Sequence, residues 1–175
     1  DKLQIEEDIK NNYGPTEGSV RVSDSMGHGS HISGIAASDG SSSGLGYIGM
    51  APESKIISVK TQFTTASIVD GIKYLKQKAS DLGYPLVVNL SLGTQSGPHD
   101  GTSLFEEAVS SLVGNNTFIT VSAGNAGGKK IHLGQILKPG EVIRKSINVP
   151  EDMSSGNFSI EGYYGEGSSL SVRIE

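Results

Sequence analysis

The stretch of sequence that decides the fold is Pro85-Leu86-Val87-Val88-Asn89-Leu90-Ser91-Leu92-Gly93, an apolar run opened by proline and closed by glycine. A short run of this kind, with β-branched residues near its centre, is typical of a strand covered on both faces by helices. Strands buried in this way belong to parallel sheets. The run therefore predicts an α/β protein.

The neighbouring segments extend this prediction in both directions. Apolar residues at helical spacing predict amphipathic helices over residues 67–82 and 103–113, and β-branched runs predict strands over residues 55–60 and 117–123. Ser67 with Asp70 three residues on, and Ser103 with Glu106, have the spacing of capping boxes. Alternating strands and helices predict a parallel sheet with right-handed crossovers.

A small-residue helix is predicted just after Gly27, over residues 28–37. Its apolar residues Ile32, Ile35 and Ala36 fall on one face, which favours a buried helix packed closely on its neighbours. Residues 1–27 are polar, with a short helix predicted around residues 3–9 and a turn at residues 12–15.

The pattern changes after Gly127. Alternating or β-branched residues predict four short strands with no helix between them, at residues 131–137, 141–149, 157–164 and 168–174. We therefore expect two units. Residues 1–128 are part of a parallel-sheet core, and residues 129–175 are the start of an antiparallel β-sandwich or jelly roll.

Composition excludes several classes of function. The 175 residues carry a net charge of -5 and contain no cysteine, which excludes disulfides, thiolate zinc sites and a cysteine nucleophile. No basic stripe supports binding of nucleic acid, and the apolar runs are too short to span a bilayer. The N-terminus lacks the features of a signal peptide, so any export signal is expected to have been removed or never present.

Polar groups with catalytic potential occur in three places: residues 27–31, 89–93 and 122–127. The second and third follow strands of a parallel sheet, so they are expected on one rim, where ligands bind in such folds. A histidine that opens a helix can act as a general base, and an asparagine amide at a strand end can donate to an oxyanion. Singly, the histidine is more often a capping or solvated residue, and the asparagine a turn residue.

Together, and in this order, these segments resemble the subtilisin-like serine proteases. The matching motifs cover roughly residues 20–127. The first is Gly27-His28-Gly29-Ser30-His31-Ile32-Ser33-Gly34-Ile35, with Ser30 where the family usually has Thr. The others are Gly49-Met50-Ala51-Pro52 with the strand after it, Val88-Asn89-Leu90-Ser91-Leu92-Gly93, and Ser122-Ala123-Gly124-Asn125.

The resemblance implies a role for each matching residue. His28 is the catalytic base and Asn125 the side-chain donor of the oxyanion hole, while His31 is structural. The cleft is expected to be formed by two segments: the backbone of Ser91, Leu92 and Gly93 pairs with an extended peptide, and Ala123 and Gly124 form part of the wall around the side chain preceding the scissile bond. No cofactor is implied, and structural calcium stays open because loop carbonyls leave little trace in sequence.

Two departures from the family pattern limit what this chain supplies. No apolar run ending in the family's catalytic Asp precedes His28, and Asp24 lies too near to His28 to take that role. Ser103 comes before the oxyanion asparagine, which breaks the family's order, so we interpret it as a helix N-cap rather than the nucleophile. The chain is expected to provide the histidine and asparagine of a Ser/His/Asp protease, and to be inactive and poorly folded by itself.

The intact protein is expected to be a secreted or extracellular serine endopeptidase acting on peptides or proteins, with a propeptide or the remaining segments of the same protease as further partners. The alternative is a catalytically inactive relative that binds and regulates a peptide or protein. Sequence after Glu175 distinguishes them, because a Gly-Thr-Ser-Met-Ala-like motif there indicates an enzyme.

The β-rich tail resembles a feature of some bacterial subtilases, including clostridial spore-germination proteases, which carry a jelly-roll insert between the oxyanion asparagine and the nucleophile. Residues 129–175 resemble the first part of that insert, and residues 1–27 an insertion before the histidine motif. The resemblance implies association with spores.

Two other motifs suggest sites that their context excludes. Gly44-Leu45-Gly46-Tyr47-Ile48-Gly49 matches the dinucleotide-binding fingerprint, but a serine-rich loop precedes it and Pro52 with a strand follows, where the mechanism requires a strand and then a helix. His28 and His31 have a spacing that could share a metal ion, but no third ligand lies near them in sequence.

Overall fold

The computed structural model describes residues 7, 10, 11, 18, 23–44, 46–149 and 158–174. The elements in these ranges are helix α1 (His28–Ala37), helix α2 (Thr65–Leu82), strand β1 (Leu86–Leu90), helix α3 (Leu104–Ser111) and strand β2 (Thr117–Val121). Most of the helix and turn predicted within residues 3–15, and most of the insertion predicted at residues 1–27, lie outside the described residues.

The two strands form a parallel pair. Leu86 lies opposite Thr117 and Leu90 opposite Val121, with α3 in the connection between the strands. The predicted parallel α/β arrangement is confirmed for this part of the chain. The carboxyl ends of both strands therefore open onto the same edge of the sheet.

The core lies between one face of this sheet and the two helices α2 and α3. Ile72 of α2 is 1% exposed and packs with Ile68, Val88 and Leu90, and around them lie partly buried apolar side chains, among them Leu75, Phe105, Val109 and Ile119. Alternation along β1 brings Val88 and Leu90 to the helical side. Burial of this cluster fixes the direction and register of both strands.

The prediction that β1 is covered on both faces is wrong for the described residues. Val87 and its register partner Phe118 are 69% and 61% exposed. Since α2 and α3 both pack on the face that carries Val88, the opposite face of the sheet stays open to solvent.

Helix α2 begins earlier than predicted. Thr64, not Ser67, is the N-cap, and the two residues form a reciprocal pair in which Ser67 N donates to Thr64 Oγ1 and Thr64 N donates to Ser67 Oγ. The short Ser67 side chain replaces the usual glutamate at this position of the capping box. The helix ends at Gly83, whose φ of 71° is a left-handed conformation that favours glycine.

Helix α3 begins as predicted. Ser103 is its N-cap, its hydroxyl donates to Glu106 Oε2 at 2.7 Å, and Glu106 N donates back to Ser103 Oγ. The hydrogen bond from Ser103 holds the pKa of the Glu106 carboxyl below its usual value. The interpretation of Ser103 as a cap is confirmed.

The strand predicted at residues 55–60 is extended chain without a ladder partner among the described residues. Side-chain contacts hold it instead: Lys60 Nζ donates to Ser23 O at 2.8 Å, and Lys55 Nζ donates to the Tyr84 hydroxyl at 2.7 Å. Its β-branched residues reflect contact with α2, where Val59 lies against Gly71. A β-branched run becomes a strand only where a neighbour pairs with its N–H and C=O groups.

Helix α1 has the predicted bounds but not the predicted burial. None of its residues is buried, and Ile35 is 58% exposed. The segment after it returns along its C-terminal turn, where Met50 N donates to Ile35 O and Ala51 N donates to Ala36 O. A Cβ on Gly49 would lie 2.5 Å from Ser38 N and 2.8 Å from Gly34 O, so only glycine permits this approach.

The strands predicted after residue 129 form no ladder in the described ranges 129–149 and 158–174, and the side chains there are exposed. A strand without a partner leaves its backbone groups to water, which explains why the alternating pattern alone does not produce a sheet here. One contact reaches back to the core segment: Gly97 N donates to Glu161 Oε2 at 3.2 Å and to the Tyr163 hydroxyl at 3.0 Å. The Tyr163 hydroxyl in turn donates to Glu161 Oε2, which lowers the pKa of Glu161 and raises that of Tyr163.

No helix in the described part of the chain is long and apolar enough to cross a membrane.

Candidate active site

The candidate active site lies at the carboxyl edge of the two-stranded sheet. Residues 91–93 leave β1 and residues 122–125 leave β2 at this edge. Ser122 joins the two segments twice, since its N–H donates to Leu90 O and its hydroxyl donates to Leu92 O, both at 3.1 Å. The sequence analysis did not assign this role to Ser122, because a hydrogen bond between two loops has no pattern along the chain.

A second set of hydrogen bonds fixes Ser91. Asn89 Nδ2 donates to Ser91 Oγ at 2.8 Å, and Thr120 Oγ1 on the adjacent strand lies within hydrogen-bond distance of Val88 O and Asn89 Oδ1. A neutral amide cannot take a proton as a general base does. Asn89 therefore positions the Ser91 hydroxyl without activating it as a nucleophile.

The segment after β2 turns sharply before Asn125. Gly124 has a φ of 84°, which favours glycine because a side chain there would be strained. Ala123, Gly124 and Asn125 are all exposed, and the Asn125 side chain has no hydrogen-bond partner among the described residues. Its amide is thus available to a ligand at this edge.

A cavity of about 290 Å³ is lined by Ala123 and Ala126, the residues close to Asn125 in the chain. Gly127 is its other small lining residue, and its polar lining residues are Gln95, Lys130 and His132. A larger cavity of about 580 Å³ borders Pro85, Leu86 and Thr117 at the amino ends of the strands. Ligands of parallel sheets bind at the carboxyl ends, so the smaller cavity belongs to the candidate site.

His28 is the first residue of α1 and is exposed at the tip of the helix. His31, one turn later, is also exposed. Among the described residues, no hydrogen bond joins His28 to either strand-end segment. The structure thus brings residues 91–93 and 122–125 together and holds the histidine on a separate helix end.

Asp24 organises the start of α1. The N-cap position is held by Gly27, which has no side chain to offer, and Asp24 replaces it: Oδ1 accepts from Gly27 N at 2.9 Å and Oδ2 accepts from Ser30 N at 2.7 Å. Asp24 is thus a capping residue, a role that its position before the histidine motif does not reveal by itself. The signal was the side-chain acceptor just upstream of a glycine N-cap.

The Asp24 cap predicts a pH dependence at the start of α1. Hydrogen bonds from Ser30, and then from Gly27, hold the pKa of Asp24 below its ordinary value of 3.8. A carboxyl whose pKa is lower in the folded state stabilises the fold above its unfolded pKa, and this contribution is lost as pH falls through the folded pKa. In the full-length protein, the amide proton shifts of Gly27 and Ser30 should therefore stay constant down to about pH 3.8 and change below it. Asp24→Asn should remove the transition, and a transition that persisted in this variant would contradict the assignment.

In the described part of the chain, no group of three or more His, Cys, Asp or Glu side chains is placed to hold a metal ion. The groups at hand are a helix-end imidazole, an exposed carboxamide and a backbone edge open to an extended ligand.

Comparison with known proteins identifies the family of this chain. The model of the subtilase family matches residues 2–171, nearly the whole chain. The chain belongs to the subtilase family. The match extends in both directions beyond residues 20–127, on which the resemblance in sequence rested.

Individual relatives agree with this subtilase assignment. The chain is 33% identical over 114 residues to the major intracellular serine protease of Bacillus subtilis (strain 168), covering 61% of this chain and 32% of that protein. It is 30% identical over 149 residues to a subtilisin of Bacillus sp. (strain TA39), covering 78% of this chain and 34% of that protein. The subtilase chain thus spans about a third of the length of these relatives.

A solved structure confirms the fold. The Clostridium perfringens CspB protease matches with a TM-score of 0.67 and 33% identity, over 79% of this chain and 30% of that one. The parallel pair β1 and β2, with its helices, is thus part of a subtilisin-like α/β core. Of the relatives named above, one is called an intracellular protease and another a subtilisin.

Proposed function

We propose that the full-length protein containing this chain is a serine endopeptidase of the subtilisin type. The observation that carries the proposal is the pair of strand ends joined by Ser122, which leaves residues 91–93 and Asn125 facing the same open edge. An extended peptide lying along residues 91–93 would present its carbonyl groups near Asn125. Parallel α/β folds bind their ligands at this edge.

In the proposed reaction, His28 is the general base. Its imidazole takes the hydroxyl proton of a serine nucleophile as the serine oxygen bonds to the carbonyl carbon of the substrate. The resulting imidazolium then gives this proton to the leaving amine as the C–N bond breaks. Water repeats the two steps and releases the acid product. No residue of this chain is assigned as the serine nucleophile or as the Asp that orients His28.

Asn125 stabilises the tetrahedral intermediate in this mechanism. Its amide is exposed and has no described partner, so it can donate to the oxygen that becomes negative when the serine attacks. The backbone of Ser91, Leu92 and Gly93 holds the substrate, and Ala123 and Gly124 line the position of the side chain before the scissile bond.

The chain is proposed to contain parts of two units. Residues 1–128 are proposed as part of the protease core and residues 129–175 as the start of a β-rich insert of the jelly-roll type, which pairs with segments outside this chain. We propose a secreted, spore-associated enzyme with peptide or protein substrates, and a propeptide as its intramolecular partner.

A fluorophosphonate probe tests the proposal on the purified full-length protein. The probe reacts covalently with serines activated by a base, so one label per molecule is expected, with loss of peptide hydrolysis in proportion to labelling. Heat-denatured protein is the control and should not be labelled. Binding of peptides without labelling or cleavage would favour the inactive, peptide-binding relative instead.

A further inference from the structure

The cavity beside Asn125 has a lining that is unusual for a pocket built to hold an apolar side chain. Three of its side chains carry hydrogen-bond donors, those of Gln95, Lys130 and His132, and only Ile131 is a large apolar residue. No acidic residue lines it in the described part of the chain. The cavity therefore combines several donors with a positive charge and has no carboxylate to neutralise them.

The donors come from both sides of the cleft. Gln95 belongs to the loop that continues residues 91–93, and its Nε2 lies 3.8 Å from the position that a Cβ on Gly124 would occupy. Lys130 and His132 belong to the segment that follows Asn125. A side chain entering this cavity would therefore be surrounded by residues of both segments.

Lys130 lines the cavity from an uncommon backbone conformation. Lys130 has a φ of 53°, in the left-handed region that a long side chain seldom adopts, whereas Lys129 has no positive φ and does not line the cavity. Lys129 N donates to Ala126 O, which closes a turn just before it. The turn at residues 126–129 therefore precedes the three consecutive residues of this segment that line the cavity, Lys130, Ile131 and His132.

We propose that Lys130, with His132 and Gln95, makes this cavity select substrates whose side chain before the scissile bond ends in an oxygen acceptor. The inference rests on the proposed protease function and names its substrate class: glutamate first and glutamine second. Both side chains accept hydrogen bonds from the three donors. The carboxylate gains a charge-assisted bond to Lys130, which is about twice as strong as a bond between neutral groups.

The volume fits this class of side chain. A cavity of about 290 Å³ lined by the small residues Ala123, Ala126 and Gly127 admits a side chain of the length of glutamate together with water. A lysine side chain of similar reach would bring an ammonium against Lys130. Like charges at such a distance repel, so lysine is excluded although it fits by size.

The test compares four peptide 4-nitroanilides that differ only in the residue before the scissile bond: glutamate, glutamine, methionine and lysine. With the full-length protein we expect kcat/KM to be highest for glutamate, then glutamine, and lower for methionine by about tenfold or more, as for hydrogen bonds to a charged group. The lysine substrate should be the poorest. Because the Lys130 contact is open to solvent, the glutamate-to-glutamine ratio should fall as salt increases.

Variants separate Lys130 from its neighbour. Lys130→Met should bring the glutamate-to-glutamine ratio near one and remove its salt dependence, and Lys130→Arg should restore both. Lys129→Met removes the same charge one residue earlier and should leave the ratio unchanged. Each variant replaces one unbranched side chain with another at its own position, so no substitution adds backbone strain there.

Three outcomes decide whether Lys130 selects the substrate side chain. A glutamate preference that disappears in Lys130→Met and persists in Lys129→Met supports the proposal. A wild-type protein that hydrolyses the series with methionine preferred over both oxygen-bearing side chains overturns it and leaves the protease function intact. A protein that neither hydrolyses any of the four peptides nor reacts with the fluorophosphonate overturns the protease function, and the substrate selection with it.

Discussion

Replacing His28 with alanine in the full-length protein is expected to lower kcat by about 10⁶-fold, the loss found when a triad base is removed. His28 is exposed at the first position of α1, and its imidazole has no hydrogen-bond partner in the part of the chain that the structure describes. Without a base, the serine hydroxyl must lose its proton to water. Hydrolysis of a peptide 4-nitroanilide measures the rate, and circular dichroism checks that the fold is retained.

His31 is the matched control for this variant, because it lies one turn further along the same exposed helix. His31→Gln should change the melting temperature more than it changes the activity per folded molecule. If His28→Ala retained near-normal hydrolysis, or if His31→Gln lost as much activity as His28→Ala, the assignment of the base would be wrong.

Asn125→Ala is expected to have the second-largest effect. As an oxyanion donor, Asn125 acts on charge that develops only in the transition state, so its removal should lower kcat by about 10²–10³-fold and leave KM nearly constant. This corresponds to about 2.7–4 kcal/mol of transition-state stabilisation. Steady-state kinetics over a range of substrate concentrations separates the two parameters.

Asn116 provides the contrasting case. It lies in a turn with a φ of 63°, and its carbonyl accepts from Leu86 N at the start of β1. Asn116→Ala should lower the melting temperature, since alanine tolerates the left-handed region less well, while kcat per folded molecule stays the same. If Asn125→Ala behaved like Asn116→Ala, Asn125 would be a turn residue and not an oxyanion donor.

The parts of the fold that sequence predicts well are those with local causes. The pair of Ser103 and Glu106 satisfies backbone groups within one turn, so its spacing alone locates the start of α3. The run at residues 85–93 likewise contains the apolar residues that β1 buries. Burial of α1 and pairing of residues 55–60 depend on neighbours distant in sequence, and neither is realised in the described residues.

The residues of the candidate site likewise divide into those that a local motif predicts and those that only the folded chain reveals. The motifs at His28 and Asn125 predict a general base and an oxyanion donor because they occur in the same order as in the subtilases. Lys130 and His132 belong to no motif, and only the folded chain shows that they line one cavity with Gln95, Ala123 and Ala126. Ser122 is quoted in a motif, but its hydrogen bond to Leu92 O becomes visible only when both loops are placed in space.

The contact of Gly97 with Glu161 and Tyr163 determines when the loop at Gly97 can complete its hydrogen bonds during synthesis. Tyr163 follows Gly97 by 66 residues, so the loop that continues residues 91–93 lacks this partner until that length of chain has been translated. At ordinary rates of synthesis the interval is roughly 3–13 s. Helix caps and the pairing of β1 with β2 need no residue beyond Val121. A nascent chain can therefore complete its small parallel sheet several seconds before the loop beside the cleft acquires its last hydrogen-bond acceptors.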